Sequence, residues 1–91
     1  MRREVSSRRD ACAFVLINIE IDSEEKMMDA LKAIPEVKEA YLLHGVYDMI
    51  ARMESDTMLN LKDAISRKIK QLEKVRSTMT MIVTHARARR R

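Results

Sequence analysis

Cys12-Ala13-Phe14-Val15-Leu16-Ile17-Asn18-Ile19-Glu20-Ile21 is the stretch on which the fold turns. Its odd positions, Ala13, Val15, Ile17, Ile19 and Ile21, are all apolar. Its even positions begin apolar (Cys12, Phe14, Leu16) and turn polar at Asn18 and Glu20. Successive side chains of a strand point to opposite faces. The pattern therefore predicts a central strand with one face buried throughout and the other covered along half its length.

Working outward, Asp22-Ser23-Glu24-Glu25 reads as a helix start, with a capping side chain and acids in the first turn. Met27, Ala30, Leu31 and Ile34 follow at helical spacing, and Pro35 ends the helix. Val37 to His44 alternates as a strand, and Tyr47 to Glu54 reads as its return. Gly45, the one glycine, sits between them, where a tight hairpin calls for positive φ. Ser55-Asp56 reads as the cap of a second helix with the stripe Met58, Leu61, Ile65, Ile69 and Leu72. Val75 to Thr84 alternates as a last strand.

Strand, helix, strand, strand, helix, strand is the βαββαβ order of an α+β, ferredoxin-like fold. Two helices cover one face of a four-stranded antiparallel sheet. The simplest register turns Ala13, Val15, Ile17 and Ile19 toward the helices. It leaves Cys12, Phe14, Leu16, Ala40, Leu42, Ile50 and Ile82 on the open face. A monomer rarely exposes such a patch, so a homodimer is expected, with Phe14, Leu16 and Leu42 at its interface. A chain of 91 residues makes one small domain, for which that extra burial matters.

Composition narrows the class. With 46% hydrophobic and 35% charged residues, one Gly and one Pro, the chain is neither disordered nor a low-complexity repeat. No apolar run approaches the ~20 residues that span a bilayer, and residues 1–10 hold no signal-peptide core. A single cysteine, Cys12, forms no internal disulfide, and a cytoplasmic location without membrane contact is expected. The net charge of +4 is unevenly spread. Residues 1–10 carry four arginines against two acids, residues 87–91 carry four arginines, and the stretch between is net −2. A nucleic-acid reader shows its basic patch on the folded body, so the tails read as solubilising extensions without specific DNA binding.

Catalytic constellations are sparse. Cys12, His44 and His85 do not have metal-ligand spacing, and one glycine makes no phosphate loop. His44, beside Gly45, reads as an ordinary strand-end residue. Two groups could hold a small ligand. In Gly45-Val46-Tyr47-Asp48 an acid close to a hairpin glycine can hold an amino group, or simply cap the turn. The hydroxyls of Ser77-Thr78-Met79-Thr80 can bind a carboxylate, or simply favour a strand.

Residues 13–17 (Ala-Phe-Val-Leu-Ile), the helix end Leu-x-x-Ile-Pro-Glu-Val (31–37), Gly-x-Tyr-Asp (45–48) and Val75, Thr78, Thr80, Ile82 and Val83 form one ordered pattern. It resembles the effector-binding (RAM) domain of the leucine-responsive regulatory protein/AsnC family of transcription regulators, over about residues 11–84. The resemblance implies a ferredoxin-like domain that dimerises through its sheets, assembles into rings and binds a small amino acid between dimers. By position it places Gly45, Tyr47, Asp48, Thr78 and Thr80 at the ligand. Only ten residues precede the first strand, too few for the helix-turn-helix of full-length members.

The expectation is thus a stand-alone amino-acid-binding and oligomerisation module with basic tails at 1–10 and 85–91. It would act in the regulation of amino acid metabolism or by co-assembly with a full-length regulator, without cofactor, metal or catalytic residue. The alternative is a small dimeric α+β barrel enzyme of monooxygenase type, using His44, Tyr41 or Tyr47. An RNA-binding sheet would need stacking aromatics, and the open face offers only Phe14.

Overall fold

The structure is a computed structural model that describes residues 11–84; both expected basic tails lie outside the described residues. The elements are β1 (Ala11–Ile19), α1 (Glu24–Lys32), β2 (Val37–Leu42), β3 (Met49–Ser55), α2 (Met58–Ala64) with a π-helical turn (Ile65–Ile69), and β4 (Val75–Ile82). The sheet is antiparallel with order β2-β3-β1-β4, so β1 is central, as its apolar pattern predicts. This is the ferredoxin-like arrangement.

The core lies between the sheet and the helices. Ala13, Val15 and Ile17 are fully buried, and Ile19 nearly so, facing Met27, Leu31, Leu61, Ile65 and Ile69. Met49, Ala51 and Met53 supply the same face from β3. Burying each large side chain contributes roughly 1.5–3 kcal/mol, so this single layer carries most of the domain's stability. Ile21 falls beyond the end of β1 and is 89% exposed, so the strand is shorter than its apolar run.

Both helix starts differ from the sequence expectation. Ser23 is buried, and its hydroxyl donates back to the Glu20 carbonyl at 2.6 Å instead of capping α1. The cap of α2 is Thr57, whose Oγ1 accepts from the Asn60 amide at 3.0 Å, two residues after Ser55. Ser23 has taken a backbone partner, while Ser55 donates to Asp56 Oδ1 at 3.3 Å and Asp56 accepts from Asn60 Nδ2 at 2.8 Å, pairings that spacing alone does not reveal. In the π-helical turn the Lys70 amide donates to the Ile65 carbonyl at 3.0 Å. Ile65 and Ile69, four residues apart, share one face and are both buried in the core.

The edge strands overturn part of the simple register. Val37 pairs with Met53 but Glu39 pairs with Arg52, so Lys38 is a bulge residue. Likewise Ile19 pairs with Val75 and Asn18 with Ser77, leaving Arg76 extra. One inserted residue flips every later side chain to the opposite face. Ala40 and Leu42 therefore lie on the helix side, opposite Ala51 and Met49, and Ile82 does too, opposite Ala13. The expectation that these three line the open face, and with it Leu42 as a sheet-face interface residue, is corrected.

Candidate functional site

The open face keeps its apolar character with a changed membership. Cys12, Phe14 and Leu16 remain there from β1 and Ile50 from β3. Tyr41 joins from β2, and Met79 and Met81 from β4. Tyr41, Met79 and Met81 are exposed, and Phe14, Leu16 and Ile50 are half-buried. Beside Phe14 lies a charged corner that sequence reading missed. Arg52 Nε donates to Glu39 Oε1 at 3.0 Å, and Arg52 Nη1 donates to Glu54 Oε2. Hydrogen bonding to Glu39, with a further bond to Glu54, raises the Arg52 pKa above its ordinary value against the opposing effect of burial. The alternation of charges at 52 and 54 with apolar 51 and 53 puts Arg52 and Glu54 on one face; only the Lys38 bulge brings Glu39 to them.

The second candidate region is the end of the sheet where β1 stops. Residues 43–48 connect β2 to β3; the Leu43 amide donates to the Asp48 carbonyl at 2.8 Å, so the turn proper is residues 44–47, a four-residue hairpin loop. Gly45 has no positive φ, and a Cβ placed on it would meet nothing within 4 Å. The expected conformational reason for Gly45 is therefore absent; its backbone is simply open to whatever approaches. Val46 is almost fully exposed and Tyr47 half-buried.

Asp48 is tied into the sheet. Its amide donates to the Ile17 carbonyl at 3.0 Å, and its Oδ2 accepts from the Ile19 amide at 2.9 Å. The carboxylate thus extends the β1–β3 ladder by one rung. Its other oxygen has no donor among the described residues, and Asp48 lines an open cavity of about 190 Å³ together with Ile19, Glu20, Ile21, Asp22 and Glu24. Glu20 is paired with Lys74 Nζ at 3.6 Å, and the remaining acids Asp22, Glu24 and Asp48 leave the cavity net negative, which favours a cation such as an ammonium group.

Thr78 and Thr80 pair with Ile17 and Val15, which turns them to the helix side of β4. Thr78 flanks β1 opposite Met49, two strand spacings away, or about 10 Å. Thr80 lines a separate groove with Lys62, Ile65, Ser66, Lys70 and Ile82. One chain therefore does not gather Asp48, Thr78 and Thr80 into one pocket. Among the described residues there is no group of three or more His, Cys, Asp or Glu able to hold a metal, and no helix is long and apolar enough to cross a membrane.

A family model for the Lrp/AsnC ligand binding domain matches residues 12–91. The chain belongs to the Lrp/AsnC family. Among curated proteins it is 30% identical over 74 residues to the regulatory protein AsnC of Haemophilus influenzae, covering 80% of this chain and 49% of that protein. The chain thus spans about half the length of that relative. Among solved structures, FFRP-DM1 is 40% identical with a TM-score of 0.78, covering 80% of this chain and 97% of the other. The transcriptional regulator NMB0573 of Neisseria meningitidis, solved as a complex with L-Met, shares the fold: TM-score 0.81 at 16% identity, covering 98% of this chain and 59% of that one.

Proposed function

We propose that this Lrp/AsnC domain is a non-enzymatic module that binds a small amino acid and self-assembles through its open sheet face. It acts in transcription regulation by sensing that amino acid or by co-assembling with a full-length regulator, not by reading an operator itself. The observation that carries the ligand half is the free oxygen of Asp48, a residue that lines an acidic cavity beside a loop whose glycine exposes backbone. An α-ammonium group would pair with that oxygen. The α-carboxylate would take its donors from Thr78, Thr80 and loop amides, with the loop of one dimer meeting β4 of a neighbour, because a single chain holds these groups apart. The L-Met complex of a fold relative supports an amino acid as the class of ligand.

Calorimetry against the twenty amino acids tests this. Asp48→Asn keeps an acceptor for the Ile19 amide and removes the charge. It should fold as wild type and bind the selected amino acid about tenfold to a hundredfold more weakly. Equal affinity would return Asp48 to a purely structural clamp. Gel shifts should show no preference for an operator over scrambled duplex at moderate salt, and any retention should vanish as salt rises.

The assembly half rests on the seven apolar residues of the open face. Phe14→Asp should give a folded monomer, since an unpaired charge in such an interface costs several kcal/mol. A monomeric wild type at micromolar concentration would remove this reading.

A further inference from the structure

The open face is not uniformly apolar. Besides the Asn18–Ser77 pair at one end, it carries the Glu39–Arg52–Glu54 corner, contiguous with the apolar residues because Arg52 pairs across the ladder with Phe14 and Glu54 with Cys12. The Arg52 and Glu54 side chains are only 28% and 23% exposed on this uncovered sheet, whereas Glu39 at 46% stays open to solvent. Three charges moved out of water oppose association unless each has a partner. Here the partners come from within the chain: two carboxylates clamp one guanidinium before any second molecule arrives. A partner that brought its own counter-charge would find none left unmatched except a single net negative charge. A second copy adds one more such charge, which the solvent-open Glu39 leaves to screening by water, and offers the same apolar surface.

We infer that the Glu39–Arg52–Glu54 triad is the element that makes the open face compatible with a second copy of this chain, by neutralising Arg52 internally before the face is buried. The inference rests on the sheet-face dimer proposed above. Arg52 thereby acts as a positioning and charge-balancing residue for pairing. The Lys38 bulge is part of the device, because it exchanges Ala40 for Glu39 on this face.

The test is sedimentation equilibrium over a concentration series, with circular dichroism on the same samples to report folding. Arg52→Met leaves two acids facing the partner without a counter-charge and should weaken self-association by at least about tenfold. The triple variant Glu39→Gln/Arg52→Met/Glu54→Gln removes every charge. It should associate within about threefold of wild type, or more tightly, because hydrophobic or neutral replacement of a whole ion network is commonly tolerated. If Arg52→Met does not fold, Glu39→Gln/Glu54→Gln, which strands Arg52 alone, should show the same weakening. Association unchanged in the unbalanced variants, or a triple variant as weak as they are, overturns the inference. If wild type itself is monomeric, the sheet-face reading has failed, and the triad's pairing role falls with it.

Discussion

At Asp48 one side chain serves the fold and is proposed to serve a ligand, and its two oxygens separate the two roles. Asp48→Ala removes the acceptor for the Ile19 amide at 2.9 Å and should cost about 1–3 kcal/mol in urea unfolding. Asp48→Asn should cost under about 0.5 kcal/mol, since its amide oxygen still accepts. Glu36 gives a second residue-level expectation. Lys68 Nζ reaches its two oxygens at 3.0 and 3.1 Å, and that hydrogen bond holds the carboxyl below its ordinary pKa. A carboxyl with a depressed folded pKa stabilises the fold above the ordinary carboxylate range, and this is lost as pH falls through the folded value. Acidification should therefore erode wild type more than Glu36→Gln, by about 0.2–1 kcal/mol for such a surface pair, and the gap should close once both are fully protonated. Unfolding curves across the acid range measure it.

Among the elements, the edge strands hold the decisive feature. Each has a bulge at its second residue, Lys38 in β2 and Arg76 in β4. Deleting Lys38 would remove the extra residue and leave Val37, Ala40 and Leu42 on the helix side and Glu39 and Tyr41 on the open face of a regular ladder. The expected outcome is a folded domain with β2 still paired, seen as retained amide protection in β2 and in the β3 edge it pairs with. The helices behave more simply. Thr57→Ala should cost about 1 kcal/mol by removing the cap on the Asn60 amide. Ile69→Ala should cost about 2–5 kcal/mol, since Ile69 is fully buried in the core. Thermal or urea unfolding separates the two magnitudes.

For the whole molecule, the helices cover one sheet face and nothing within residues 11–84 covers the other. If the proposed dimer forms, unfolding is linked to dissociation, so the melting temperature should rise with protein concentration. Phe14→Asp should abolish that dependence while leaving helix content intact. A melting temperature independent of concentration over two decades would argue against assembly in that range.

Much of this was legible without coordinates. The period-two run from Cys12 to Ile19 set β1 at the sheet centre, and the helical stripes of Met27 and Leu31 and of Leu61, Ile65 and Ile69 chose one covered face. The ordered pattern through Gly45, Asp48, Thr78 and Thr80 pointed to the family that a match over residues 12–91 establishes. These features are local, because strand and helix periods are properties of adjacent residues. The faces of β2 and β4 were not local. A bulge is a mismatch between two strands and leaves no trace in the alternation of either, so tertiary pairing alone placed Leu42 and Ile82 on the helix side and Glu39 against Arg52. The same holds for Asp48, whose bond to Ile19 spans 29 residues of chain and was decided by where β1 ends against β3.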